Sequence, residues 1–195
     1  MSNLKFNPRP LLLVLFMVVI VALRVLAPLS PEFNKIANFT VVGAVALFGG
    51  AYFKNNLTAF GFPLILLLVS DVILSTTIYR SSSFLYEGWY WVYIAFALMV
   101  LVGKVVLRKV NAGRFIMATA ATVVIHWIIT DIGVWYGSSL YSQDLLGFWE
   151  CLVAAIPFER SFLYGTLIYG SIMFGSFEFL QAKYPSLRFN KPVAA

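Results

Sequence analysis

Six apolar runs, most of them close to 20 residues long, follow one another with only short polar breaks, and this pattern restricts the chain more than any other feature. A helix needs about 20 apolar residues to cross the roughly 30 Å hydrocarbon layer of a bilayer. The runs place spans at about 11–29, 36–53, 60–78, 89–107, 115–136 and 161–180. A further apolar stretch, Leu145 to Phe158, is short for a crossing and carries Pro157 at its end, so it reads as an interfacial or re-entrant helix. The expectation is an all-α polytopic membrane protein: a bundle of six transmembrane helices plus the short helix near 145–158, forming a single transmembrane domain over residues 1–195.

Composition enters as a bound. With 61% hydrophobic and 11% charged residues and a mean hydropathy of +0.88, a soluble domain of 195 residues has too much surface to hide its apolar groups. Six spans use roughly 120 positions. No room is left for a separate soluble catalytic domain. The first apolar run follows a basic N-terminus but lacks a small-x-small cleavage pattern, so it reads as a retained helix. One cysteine, Cys151, excludes an internal disulfide framework.

The net charge of +6 is explained by topology rather than by nucleic acid, which is not an expected partner. With the N-terminus in the cytoplasm, the cytoplasmic segments carry Lys5, Arg9, Lys54, Lys104, Arg108, Lys109, Arg114, Lys183, Arg188 and Lys191. The other side carries Arg24, Lys35, Arg80 and Arg160. Ten against four places both termini in the cytoplasm. The outer connections are the longer ones and gather Glu32, Glu87, Asp144, Glu150 and Glu159, which is where a ligand pocket over a helical bundle forms.

Ionisable residues inside the spans are the candidate functional groups, because each is costly in hydrocarbon. Asp71 and His126 each lie about 16 Å deep at 1.5 Å per residue. Thr130, Asp131, Trp127 and Trp135 lie nearer the outer face. On one reading Asp71, His126 and Asp131 line a polar cavity that opens outward. On the other, Asp71 pairs with Arg24 or caps neighbouring backbone and holds the bundle together, while Arg24 by itself can snorkel to the interface. His126 and Thr130 share a helix face by their i, i+4 spacing, as do Trp127 and Asp131. Gly43, Ala46, Gly50, Gly165 and Gly170 are the expected helix-packing positions.

Several chemistries are absent as motifs. There is no GxxxxGK[ST], no HExxH, no Cys/His cluster and no GxSxG elbow. One histidine cannot supply bis-histidine haem ligation. No catalytic residue, metal or cofactor is expected, and Cys151 reads as a small apolar filler.

The runs Asn38-Phe39-Thr40 through Tyr52-Phe53, Ser70-Asp71-Val72-Ile73-Leu74, Asp131-Ile132-Gly133-Val134-Trp135-Tyr136 and Ile156-Pro157-Phe158-Glu159-Arg160 resemble a family of small bacterial membrane proteins labelled as transport proteins. That family is similar to the substrate-binding S subunits of energy-coupling-factor vitamin importers. The resemblance implies a multi-pass protein of the bacterial cytoplasmic membrane with six helices and an outward-facing pocket. It implies a small-molecule solute of vitamin type as ligand, and a scaffold membrane subunit with ATPases as partner beside the lipid bilayer. Asn38 then joins Asp71, His126, Trp127, Thr130, Asp131 and Trp135 as candidate substrate-binding residues. Two departures stand out. Span one offers only Ala22 and Ala27 where many S subunits present an Ala-xxx-Ala pattern, and Met1-Ser2-Asn3 lacks the early histidine of nickel and cobalt members. The aromatics Trp89, Trp91, Trp127, Trp135, Tyr136 and Trp149 favour a flat ligand, although an interfacial belt produces the same residues. The competing reading is a non-catalytic accessory subunit of a larger membrane complex.

Overall fold

A computed structural model describes residues 8–26, 41–80 and 83–188. Among these residues the chain is helical and has no strand. The helices are α1 (Arg9–Leu26), α2 (Val42–Tyr52), α3 (Asn56–Ile73), α4 (Trp89–Val106), α5 (Ala112–Trp135) and α6 (Leu145–Lys183). A π-helical turn, Leu74–Ile78, extends α3, and a 3-10 turn, Pro185–Leu187, follows α6. All but α2 are long and apolar enough to cross a membrane, as befits a multi-pass membrane protein.

Local chemistry explains where three helices begin. The side chains of Asn55, Asn111 and Asp144 accept the backbone N–H groups of Leu57, Arg114 and Gly147 at 3.0, 2.9 and 2.8 Å. Each satisfies a donor that has no partner within the helix. At the other end of α3, the Thr76 and Thr77 hydroxyls donate to the carbonyls of Val72 and Ile73 (2.8 and 2.5 Å), inside the stretch where the ladder loosens to i→i+5.

The short α2 is the hub. Nine of its eleven residues are buried, and it packs on each of the five other helices. A helix apolar all round belongs in the middle of a bundle. Its sequence is rich in small residues because backbones must approach closely there. A Cβ on Gly50 would meet the carbonyl oxygen of Val100 on α4, and one on Gly103 would meet Leu47 backbone atoms on α2. Gly43 sits against Thr166 and Phe162, Gly170 against Phe115, and Ala46 and Gly165 are buried. Below the crossing, Phe48 lies 4.8 Å from Tyr52, 5.3 Å from Phe174 and 5.7 Å from Phe177 between ring centroids.

Two expectations need revision. The stretch 145–158 is not a separate interfacial or re-entrant helix; it is the first part of α6, which runs unbroken for 39 residues through Pro157. Proline is tolerated inside membrane helices where neighbours supply hydrogen bonds for the freed backbone. Pro157 offers no N–H to the Val153 carbonyl four residues back, and the Trp127 indole N–H of α5 donates to the adjacent Leu152 carbonyl at 2.9 Å, which ties the turn before the proline to α5. At 1.5 Å per residue α6 is roughly 57 Å long, so it is either steeply inclined or projects beyond the hydrocarbon. The second span, expected over 36–53, is an 11-residue helix in its described part, and residues 36–40 lie outside the described segments.

Candidate functional site

The intramembrane polar residues fall into two separate groups. In the first, Asp71 on α3 is only 5% exposed. Its Oδ1 lies 2.7 Å from Arg24 Nη2, and its Oδ2 accepts the Tyr93 hydroxyl at 3.1 Å. Arg24 also donates to the Ser70 hydroxyl. Arg24 therefore turns inward instead of snorkelling, and the cluster ties α1, α3 and α4 together. Both Asp71 oxygens are engaged within the protein.

The second group surrounds a cavity of about 260 Å³ between α5 and α6. Its polar lining is His126, Thr130 and Asp131 from α5, Cys151 and Glu159 from α6, and Tyr141 from the connecting loop. The apolar lining is Val134, Ala154, Ala155 and Phe158, and no lysine or arginine contributes among the described residues. His126 Nδ1 lies 2.6 Å from Glu159 Oε1, and the imidazole stacks on Phe162 with centroids 4.1 Å apart. With its proton on Nδ1 the ring donates to the carboxylate and fixes its orientation. The Thr130 hydroxyl donates back to the His126 carbonyl at 2.7 Å. Cys151 Sγ stands 3.8 Å from the Asp131 carbonyl oxygen and 3.9 Å from Asp131 Oδ1, a weak contact.

Asp131 and Glu159 are 6% and 7% exposed, and each keeps one buried oxygen, Oδ2 and Oε2, without a hydrogen-bond partner among the described residues. A buried acceptor left unpaired costs about 1–3 kcal/mol, more when charged. The site is thus short of donors.

The loop above the cavity is tightly built. Gln143 Nε2 donates to the carbonyls of Trp135 (2.8 Å) and Ser138 (3.1 Å), and its Oε1 accepts the Gly137 N–H at 3.0 Å. The Trp135 indole donates to the Ser142 carbonyl at 2.8 Å. Outside the spans, Asp144 accepts from the Gly147 N–H and the Ser142 hydroxyl, and these hold its carboxyl below the ordinary range. Tyr141 is carried on this braced segment.

Of the residues singled out in the sequence, the structure brings His126, Thr130 and Asp131 together at the cavity. Asp71 lies apart with Arg24, and Asn38 is outside the described residues. Trp127 and Trp135 spend their indole N–H groups on backbone carbonyls of α6 and the loop, and neither lines the cavity. Nor do Trp89, Trp91, Tyr136 or Trp149; the aromatic lining is Tyr141 and Phe158. Glu159 was missed because Pro157 read as a helix stop, which made it a loop carboxylate. The available signal was the four-residue spacing of Cys151, Ala155 and Glu159, which puts them on one helix face.

A family model described as "Family of unknown function (DUF6580)" matches residues 4–187. No curated protein and no solved structure matches the chain.

Proposed function

We propose, for a chain that belongs to this family of unknown function, a substrate-binding role in membrane transport: a subunit that captures a small organic solute in the cavity between α5 and α6. The observation that carries the reading is the pair of buried carboxylates, Asp131 and Glu159, which line a cavity walled by two candidate spans and each keep one oxygen without a hydrogen-bond partner among the described residues. Intramembrane carboxylates persist where a pathway or a ligand uses them. A solute with N–H or O–H donors, and above all an amine, supplies the missing hydrogen bonds and offsets the negative charge. The volume, near the lower end of the usual 300–1,000 Å³ range, suits a molecule of about one ring. Ala154, Ala155 and Phe158 take its apolar part.

The charge pattern supports an outward-facing site in a bacterial cytoplasmic membrane. Lys54, Lys104, Arg108, Lys109, Arg114 and Arg188 stand at the end of the bundle where α1, α3 and α5 begin, and the cavity lies toward the other end. By the positive-inside rule the basic end is cytoplasmic. The resemblance to S subunits of vitamin importers is consistent with that arrangement and adds a scaffold with ATPases as the proposed partner.

The test is native mass spectrometry of the protein released from nanodiscs. A stoichiometric small molecule is expected on the wild type, with occupancy falling at least tenfold in Asp131→Asn and in Glu159→Gln, and unchanged in the exposed Glu150→Gln control. Lipid adducts alone, with co-purifying membrane proteins retained, would reject the solute site and favour an accessory subunit.

A further inference from the structure

A second pocket, of about 350 Å³, lies at the opposite end of the bundle from the α5–α6 cavity. It is bounded by the first turns of α1, the end of α2, the Lys54–Asn55 turn, the start of α3, and Arg188 beyond the 3-10 turn. Among the described residues its charged lining is Arg9, Lys54 and Arg188, with no carboxylate. Leu13, Phe53 and Phe62 form its apolar side.

The three cations are placed differently. Arg9 is 4% exposed; its guanidinium donates to the Leu187 carbonyl at 2.6 Å and to Gln181 Oε1 at 3.1 Å, and lies over the Phe177 ring. Arg188 donates to the carbonyls of Gln181 (2.9 Å) and Ala182 (3.1 Å), which anchors it at the C-terminal end of α6. Lys54 is exposed, and Lys104 reaches its carbonyl at 3.3 Å, which brings a fourth positive charge beside the rim. Nearby, Glu178 accepts the Tyr52 hydroxyl at 2.5 Å and the Gln181 amide at 3.2 Å, and is not part of the lining. The first turns of α1 and α3 also open here, and their backbone N–H groups add to the positive field.

We infer that this pocket holds the phosphate headgroup of an anionic phospholipid, with Leu13, Phe53 and Phe62 receiving the start of its acyl chains. Free phosphate has the same headgroup chemistry but no use for the apolar wall. A basic pocket between helix ends, at the level where spans leave the hydrocarbon, is where anionic lipids are recognised in membrane proteins. The inference is independent of the solute site, since no described residue lines both pockets.

The test is native mass spectrometry of delipidated protein titrated with phosphatidylglycerol or phosphatidylcholine, with and without millimolar inorganic phosphate. One phosphatidylglycerol is expected to bind in clear preference to phosphatidylcholine. The double variant K54Q/R188Q, which leaves the buried Arg9 intact, is expected to weaken phosphatidylglycerol binding about thirtyfold. Equal binding of the two lipids, or a preference that survives in the variant, would overturn the assignment. Displacement of the lipid by millimolar phosphate would overturn the lipid in favour of a free anion.

Discussion

At the scale of single residues, the two polar groups inside the bundle answer to different rules. Asp71 has both oxygens occupied and sits beside a positive charge, so its role is mechanical. Removing one member of a buried pair strands the other, at a cost of about 3–5 kcal/mol. Because the Arg24 side chain is 25% exposed, Asp71→Ala is expected near the lower end, about 3 kcal/mol. The double variant R24M/D71L, which removes both charges, is expected to recover most of that loss in denaturant unfolding in mixed micelles. Equal instability of the single and double variants would show that the pair is not what holds these helices. Asp131 and Glu159 differ, since each has an oxygen that no group in the described chain satisfies. In the sequence Asp71, His126 and Asp131 looked alike as ionisable residues within spans, Asp71 and His126 at the same depth and Asp131 nearer the outer face. Depth is legible from position along a run, whereas the azimuth that sends Asp71 toward Arg24 depends on how helices pack. That information is distributed over the whole bundle.

At the scale of helices, four spans were legible from apolar runs because length and hydropathy are local properties. The continuity of α6 was not. Pro157 is a strong stop in water, whereas here the helix runs on through it, with Trp127 of another helix bound to the Leu152 carbonyl in the preceding turn, a tertiary contact with no local trace. Small residues carried a readable packing signal without specifying partners, and the structure separates those that matter. At Gly50 and Gly103 an added Cβ runs into backbone, which cannot swing aside, whereas at Gly175 it meets open space. Gly50→Ala and Gly103→Ala are each expected to separate α2 from α4 and to destabilise by about 1–3 kcal/mol, as overpacking does elsewhere. Gly175→Ala is expected to be neutral or to stabilise by up to about 1 kcal/mol through helix propensity. Thermal unfolding of the three variants in one detergent separates these outcomes. Uniform effects would mean that the α2–α4 crossing yields more readily than its backbone contacts imply.

At the scale of the whole molecule, charge and cavities divide the protein into two unlike ends. The start of α1, the α2–α3 turn, the α4–α5 turn and the end of α6 share the basic end, through contacts such as Arg9 with Leu187 and Lys104 with Lys54. The loop from Gly137 to Asp144 stands at the other end, over the carboxylate cavity. An excess of lysine and arginine is retained on the cytoplasmic side during insertion, so the loop should face outward and the α4–α5 turn inward. The single native cysteine makes this directly testable, because Cys151 is buried at 2% exposure and offers little background to a thiol reagent. Leu140→Cys places a thiol where the native side chain is 81% exposed, and Ala112→Cys places one at the exposed start of α5 without altering any charge. In intact cells a membrane-impermeant maleimide is expected to label the Leu140→Cys protein and to reach the Ala112→Cys protein only after permeabilisation. The reverse pattern would turn the carboxylate cavity toward the cytoplasm. A solute captured there would then be on its way out of the cell, and the uptake reading would give way to export.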